Sequence, residues 1–363
     1  MMIESVSLRW SLLLVTTCAY SWCVASAFEN KWIACTSTQQ MVDVVSQCIR
    51  PSDSVVEIGS QLRDVSQTIL QHCHQALFLD VQRKFPKGEE HRTKAMRRPG
   101  DEDSLDPEKA TFCELAHLDD WRRVLQPDQE YAALVLDVNA VVGNDLELTT
   151  LSIVREFVSM FPSCRTVVVK SMTLGRWATQ LVHAQRWIRQ PGRSGRSVIA
   201  TVGVEEYRST IPTVVHDGDA VLEIGCHLGT TTALLRDATP NGYTIGVDVG
   251  PRIIRGAKMR YSDVPFYVGD AWKTAELLRI QQGFLIGTND RLYSRTVGFD
   301  VVYIDVGGLS GNDGLFEALA LLSSISNALE PRCIVIKSQC VRRLSSTLVP
   351  AWQLLNPKTT VED

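Results

Sequence analysis

The residues best placed to do chemistry lie in the C-terminal half of the chain. Glu223, Gly225 and Gly229 follow the spacing Glu-x-Gly-x-x-x-Gly and lead directly into Thr230-Thr231-Thr232. Glycines at those positions permit a tight turn and a close backbone approach to a ligand. The threonines open a helix, whose first N–H groups are free to meet a carboxylate. Cys226 and His227 occupy the turn itself. Further on, Asp248 ends the next apolar run and is followed by Val249. An acid there is placed to accept from both hydroxyls of a ribose. Gly269-Asp270-Ala271 ends the run after that, where Asp270 would accept from an adenine amino group. Asp305 and Lys337 end two later runs. An acid and a lysine at neighbouring strand ends can pair with each other.

Positioning these groups requires strands that end at one edge of a sheet. Short β-branched runs alternate with helical patterns, which predicts βαβ units and a parallel sheet. The expected strands are Asp219–Ile224, Tyr243–Val247, Pro265–Val268, Asp300–Ile304 and Cys333–Ile336. Helices are expected over Thr230–Asp237, Pro251–Tyr261 and Leu315–Ala328. Ligands of such sheets bind at the carboxyl ends of the strands, where the polar residues above stand.

The same landmarks recur upstream. Ser54-Val-Val-Glu57-Ile-Gly59 matches Ala220-Val-Leu-Glu223-Ile-Gly225, and Leu79-Asp80-Val matches Val247-Asp248-Val. Leu136-Asp137-Val with Gly143-Asn144-Asp145 matches Ile304-Asp305-Val with Gly311-Asn312-Asp313. Val167-Val-Val-Lys170-Ser matches Ile334-Val-Ile-Lys337-Ser. All four pairs lie 166 to 168 residues apart, which predicts two tandem domains of one fold, an internal duplication. The bounds read from the sequence are 41–190 and 197–363, joined by Pro191-Gly-Arg-Ser-Gly-Arg196. The first copy is degenerate: Arg63 stands where Gly229 does, and nothing matches Gly269-Asp270.

The set Glu223, Gly225, Gly229, Asp248 and Asp270 resembles, in order and spacing, the first three motifs of class I S-adenosylmethionine-dependent methyltransferases. The resemblance covers roughly residues 205–340. It implies an α/β fold of two tandem Rossmann-like domains, mainly parallel twisted sheets with helices on both faces. It implies S-adenosyl-L-methionine as cofactor, held by Glu223, Gly225, Cys226, His227, Gly229, Thr230, Asp248, Val249, Gly269, Asp270, Ala271 and Asp305. A nicotinamide-binding fold is the rival, but it would show Gly-x-Gly-x-x-Gly where Cys226-His227-Leu228 stands. Asp305 with Lys337 resembles part of the Lys-Asp-Lys-Glu set of RNA ribose 2′-O-methyltransferases and is the candidate catalytic pair. The degenerate copy keeps the same pair as Asp137 and Lys170, which favours an ion pair closing the sheet end. The family completes its sheet with an antiparallel hairpin, and only a helix-like segment follows Lys337. Ser197–Val202 supplying that edge, a reduced fold, or truncation are the alternatives.

Composition narrows the rest. The 363 residues are 45% hydrophobic, enough for a sizeable core. A net charge of −4 gives no global basic footprint, so any contact with RNA would be local. The basic run within residues 83–103 reads as a solvated loop. Ten cysteines include no Cys-x-x-Cys pair and read as buried thiols of a reducing compartment. His72-Cys73-His74 cannot converge on one ion, so no metal is expected. Residues 1–27 combine a basic start, a short apolar core and Ala25-Ser26-Ala27, a signal-peptide layout. With Phe28 it resembles the plastid-targeting signals of diatoms and related algae; the secretory pathway is the alternative. No membrane span is expected in the mature chain. Two functions follow: methyl transfer by the second domain to RNA or a small metabolite, or a non-catalytic cofactor-binding or protein-interaction scaffold.

Overall fold

The computed structural model describes residues 31–59, 64–81, 109–126, 128–137, 147–189, 196–287, 298–309 and 314–356. The expected leader, Arg63, the basic run, the Gly143 and Gly311 landmarks and the linker up to Gly195 lie outside the described residues. Along the chain the strands are β1 (Lys31–Cys35), β2 (Ser54–Ile58), β3 (Gln75–Val81), β4 (Ala110–Leu115), β5 (Ala133–Leu136), β6 (Thr166–Lys170) and β7 (Leu181–His183). They continue as β8 (Ser197–Thr201), β9 (Ala220–Ile224), β10 (Tyr243–Asp248), β11 (Phe266–Val268), β12 (Val301–Ile304), β13 (Cys333–Lys337) and β14 (Leu348–Pro350).

Two seven-stranded sheets result, in the orders β14-β1-β6-β5-β2-β3-β4 and β11-β10-β9-β12-β13-β8-β7. Every strand pairing among the described residues is parallel. Helices cover a parallel sheet on both faces, so its central strands are apolar throughout; Val301–Ile304 and Cys333–Ile336 are buried residue for residue. The fold is thus the α/β, Rossmann-like architecture expected, with strand ends within a residue or so of the sequence reading. The helix Leu315–Ala328 has the bounds expected of it.

Compact units do not coincide with the bounds 41–190 and 197–363. One unit takes the residues up to Thr179 together with those from Thr347 on; the other is Gln180–Ser346. The reason is a pair of short strands. Leu181-Val-His-Ala184 and Leu348-Val-Pro-Ala351 lie 167 residues apart. Yet β7 pairs with β8 in the sheet of the second unit, and β14 pairs with β1 in the sheet of the first. The first sheet therefore ends on a strand that follows the whole of the second in the chain, and the second ends on β7, which directly precedes β8. This also settles the sheet edge. Ser197–Thr201 does supply it, lying beside β13, and the antiparallel hairpin is replaced by two parallel strands.

Each unit has its own core. Ile33, Met41, Val44, Val55, Phe78 and Val135 centre the first; Ile199, Tyr207, Val221, Leu235, Tyr303 and Val335 centre the second. At the amino ends of the strands both units repeat one device. Arg165 pairs with Asp53 and also donates to the Cys48 carbonyl at 3.1 Å. Arg332 pairs with Asp219 and donates to the Val214 carbonyl at 2.9 Å. The eight cysteines among the described residues form no disulfide, and all except Cys113 are buried. Burial pushes the Cys35 and Cys48 thiols up to about 12, so they are inert at neutral pH.

Candidate functional site

In the second unit β9 ends at Ile224, and the chain turns back over the sheet at once. Gly225 and Gly229 both have φ of 81°, a left-handed conformation that favours glycine. A Cβ on Gly225 would run into the Asp305 carbonyl, with the carbon at 2.7 Å; one on Gly229 would meet Phe266 Cζ at 2.5 Å. Packing against β12 and β11 thus requires both glycines. The Gly225 and Cys226 N–H groups donate to the Val247 carbonyl at 2.8 and 3.0 Å, tying the turn to β10. Gly229 is also the N-cap of the helix Thr230–Ala238 and brings no side-chain acceptor. The first-turn N–H groups of that helix are left for another partner.

Asp248 ends β10 facing this turn. One carboxylate oxygen accepts the His227 N–H at 3.1 Å and the other accepts the Gly250 N–H at 2.9 Å. Each oxygen keeps a lone pair for a ligand hydroxyl. Val249 beside it is 68% exposed, an apolar surface next to a polar clamp. Gly269 donates to the Asp248 carbonyl at 3.1 Å, which sets the following loop against β10. There Asp270 accepts the Trp272 N–H at 3.0 Å, Ala271 is buried, and Trp272 is half exposed.

Two expected cofactor contacts are placed differently. Glu223 is only 2% exposed; it lies beneath the turn and accepts from Thr232 Oγ1 at 2.5 Å. Burial pushes its carboxyl up to about 8. Its part is to brace the helix start, as Glu57 does with Ser66 Oγ at 2.7 Å in the first unit. Cys226 is likewise buried, in a cluster with Ile254, Ala257, Val264 and Phe266.

Lys337 Nζ donates to Asp305 Oδ2 at 2.5 Å, and Lys170 Nζ to Asp137 Oδ2 at 2.7 Å. Each lysine is thus engaged at the sheet end by a neighbouring acid. Sequence reasoning missed Arg208. Arg208 Nε donates to Thr231 Oγ1 at 3.0 Å, across the first turn of the helix Thr230–Ala238. Among the described residues, no group of three His, Cys, Asp or Glu is placed to hold a metal. No described helix is long and apolar enough to cross a membrane.

No family model matches the chain. A malonyl-[acyl-carrier protein] O-methyltransferase of Anoxybacillus flavithermus is 39% identical over 64 residues, which are 18% of this chain and 23% of that enzyme. The match thus spans about a quarter of its relative's length. Among solved structures, a sugar N-methyltransferase from Streptoalloteichus is 17% identical over 37% of this chain and 46% of its own, with a TM-score of 0.26. A TehB-like SAM-dependent methyltransferase from Corynebacterium glutamicum gives 18%, 39%, 71% and 0.26 in the same order. Aeropyrum pernix fibrillarin, solved with S-adenosyl-L-methionine, gives 20%, 37%, 57% and 0.24. With its strand order β11-β10-β9-β12-β13, its glycine turn and its strand-end acids, this chain has an α/β, Rossmann-like fold.

Proposed function

We propose that the second unit binds S-adenosylmethionine and transfers its methyl group to a nucleophile on RNA or on a small metabolite. The observation that carries this reading is the Asp248 carboxylate, held by two backbone N–H groups beside a turn that only glycine can make. The cradle fits the cofactor: Asp248 for the ribose hydroxyls, Val249 and Ala271 about the adenine, Asp270 for its amino group, and Gly225 to Thr230 for the amino-acid arm. When bound, the cofactor supplies an electrophilic methyl on a sulfonium. The chain's own part is to fix that group and align the acceptor with it. Lys337, paired with Asp305, serves to close the sheet end. The first unit keeps Glu57, Gly59, Asp80 and the Asp137–Lys170 pair, which supports descent of both units from one ancestor and a structural role for the first. Delivery to a plastid through residues 1–27 completes the reading.

Titration of the full chain with S-adenosylhomocysteine tests the cofactor site, with Asp248→Ala as control. Labelled methyl transfer from S-adenosylmethionine into cellular RNA and metabolite fractions tests the activity. Binding without transfer into any fraction would leave the scaffold reading, which the repetition of the Asp–Lys pair in both units supports. A fluorescent fusion of residues 1–45 tests delivery; fluorescence confined to the endoplasmic reticulum would end the plastid assignment.

A further inference from the structure

The helix Pro251–Arg260 joins β10 to β11. Its cap residue, Gly250, donates to the Asp248 carboxylate at 2.9 Å, so the helix starts beside the cleft. Ile254 and Ala257 bury one side of it against Val264 and Phe266. Arg252, Arg255 and Met259 recur at i, i+3 and i+7, a single stripe turned away from that side. Lys258 and Arg260 flank the stripe, and all five residues are exposed.

The charge on this helix works against it. Four cations and no acid lie within Pro251–Arg260, in a chain whose net charge is −4. Arg252, Arg255 and Lys258 follow one another at i, i+3, a spacing at which like charges repel. Arg252 also stands in the first turn, where the helix dipole favours anions. Asp263, just past the helix, is engaged by Arg236 instead. Among the described residues none of the four cations enters an ion pair, and Arg260 lies over the Tyr261 ring, 5.4 Å from its centroid. An anionic surface laid along the stripe would relieve the repulsion.

Apolar side chains share the same surface. Met259 is 82% exposed, and Val249, just before the helix, is exposed as well. Leu228 lies along it, since a Cβ on Gly256 would meet Leu228 Cδ2 at 3.1 Å, and it too is exposed. One exposed apolar side chain means little. Three aliphatic ones among uncompensated cations describe a helix that lies on a lipid surface. A polynucleotide gains from aromatic faces on which bases stack, and this helix carries no aromatic residue.

We propose that the helix Pro251–Arg260 docks the second unit on an anionic phospholipid bilayer, with its cations on headgroup phosphates and Met259 at the acyl boundary. Val249 touches down at the other end, which brings the mouth of the Asp248 cleft to the bilayer. The inference goes beyond the methyl-transfer reading and does not depend on it.

Co-sedimentation of the full chain with vesicles tests it. Vesicles of phosphatidylcholine with phosphatidylglycerol should bind at least about tenfold more tightly than phosphatidylcholine alone, and added salt should erase the difference. Arg252→Gln with Arg255→Gln should weaken that binding by about 25-fold, each cation near the bilayer being worth about fivefold. Met259→Ser should weaken it by about three- to tenfold, the share of an apolar side chain partly withdrawn from water. Arg176→Gln with Arg189→Gln removes two exposed cations elsewhere and should leave binding as it was. All these side chains are exposed, so thermal melts should match the wild type. No preference for the anionic vesicles, or equal losses in the two double variants, overturns the proposal. So does a short RNA oligonucleotide that binds through Arg252 and Arg255 without response to Met259→Ser, which would make this a nucleic-acid face.

Discussion

The carboxylate of Asp248 accepts the backbone N–H of His227 at 3.1 Å, so the end of one strand and the turn after its neighbour are a single rigid piece. His227 has φ of 48°, unusual for a residue with a side chain, and this hydrogen bond helps to hold it there.

Asp248→Asn should therefore act twice. An amide offers one acceptor in place of two, so either the His227 or the Gly250 N–H loses its partner, and a ligand hydroxyl loses its charged acceptor. Titration should show S-adenosylhomocysteine weakened by about 10- to 100-fold. A thermal melt should fall by a few degrees, the usual scale for about 1 kcal/mol in a domain of this size. An unchanged affinity would count against the ribose role.

Two glycines with nearly equal φ separate backbone strain from crowding. Gly225 has φ of 81° and no room for a Cβ against Asp305; Gly218 has φ of 85° and nothing within 4 Å. Gly218→Ala should cost about 1–2 kcal/mol from conformation alone. Gly225→Ala should cost distinctly more, because the β12 backbone must move as well. Chemical denaturation of both variants measures the difference, and equal losses would contradict the packing described.

Glu223 makes stability depend on pH in a stated direction. The unfolded chain releases this proton near the ordinary 4.5, whereas the buried carboxyl holds it up to about 8. Between those values the folded state carries the extra proton, so stability falls as pH rises through that window and levels off above it. Glu223→Gln removes the dependence. The melting temperature of the variant relative to wild type should rise steadily from pH 5 to 8, and a constant difference would rule out a buried neutral acid.

Removing residues 348–363 should weaken the first unit and spare the second. Strand β14 pairs with β1 through Trp32↔Leu348, Ile33↔Val349 and Ala34↔Pro350. Hydrogen exchange on the shortened chain should show lost protection in Lys31–Cys35 and little change in β8 or β13. Loss centred on β13 instead would refute the assignment of β14 to the first sheet.

Most of this fold was legible because central parallel strands are continuous apolar runs ending in the residues that matter. Val301–Ile304 and Cys333–Lys337 announce themselves by composition, and Asp305 and Lys337 by position. The edges were not legible. Leu181–His183 and Leu348–Pro350 are three residues each, too short for a periodic signal, and no local pattern encodes which sheet a strand joins. At the site, the glycine turn and Asp248 could be read from spacing. Glu223 and Cys226 could not be told from ligand contacts, since burial beneath a turn leaves no mark in the sequence. Arg208 escaped because its partner Thr231 lies on another helix, 23 residues on, a pairing that no local pattern encodes.

The late edge strand β14 bears on how the protein is made. A ribosome finishes β1 through β6 long before residue 348 exists, so the first sheet must wait with the β1 backbone groups open on one side. Such an edge invites pairing with other chains. Only when residues 348–350 have emerged, after every strand of the second sheet, does the missing ribbon arrive to close that side of β1.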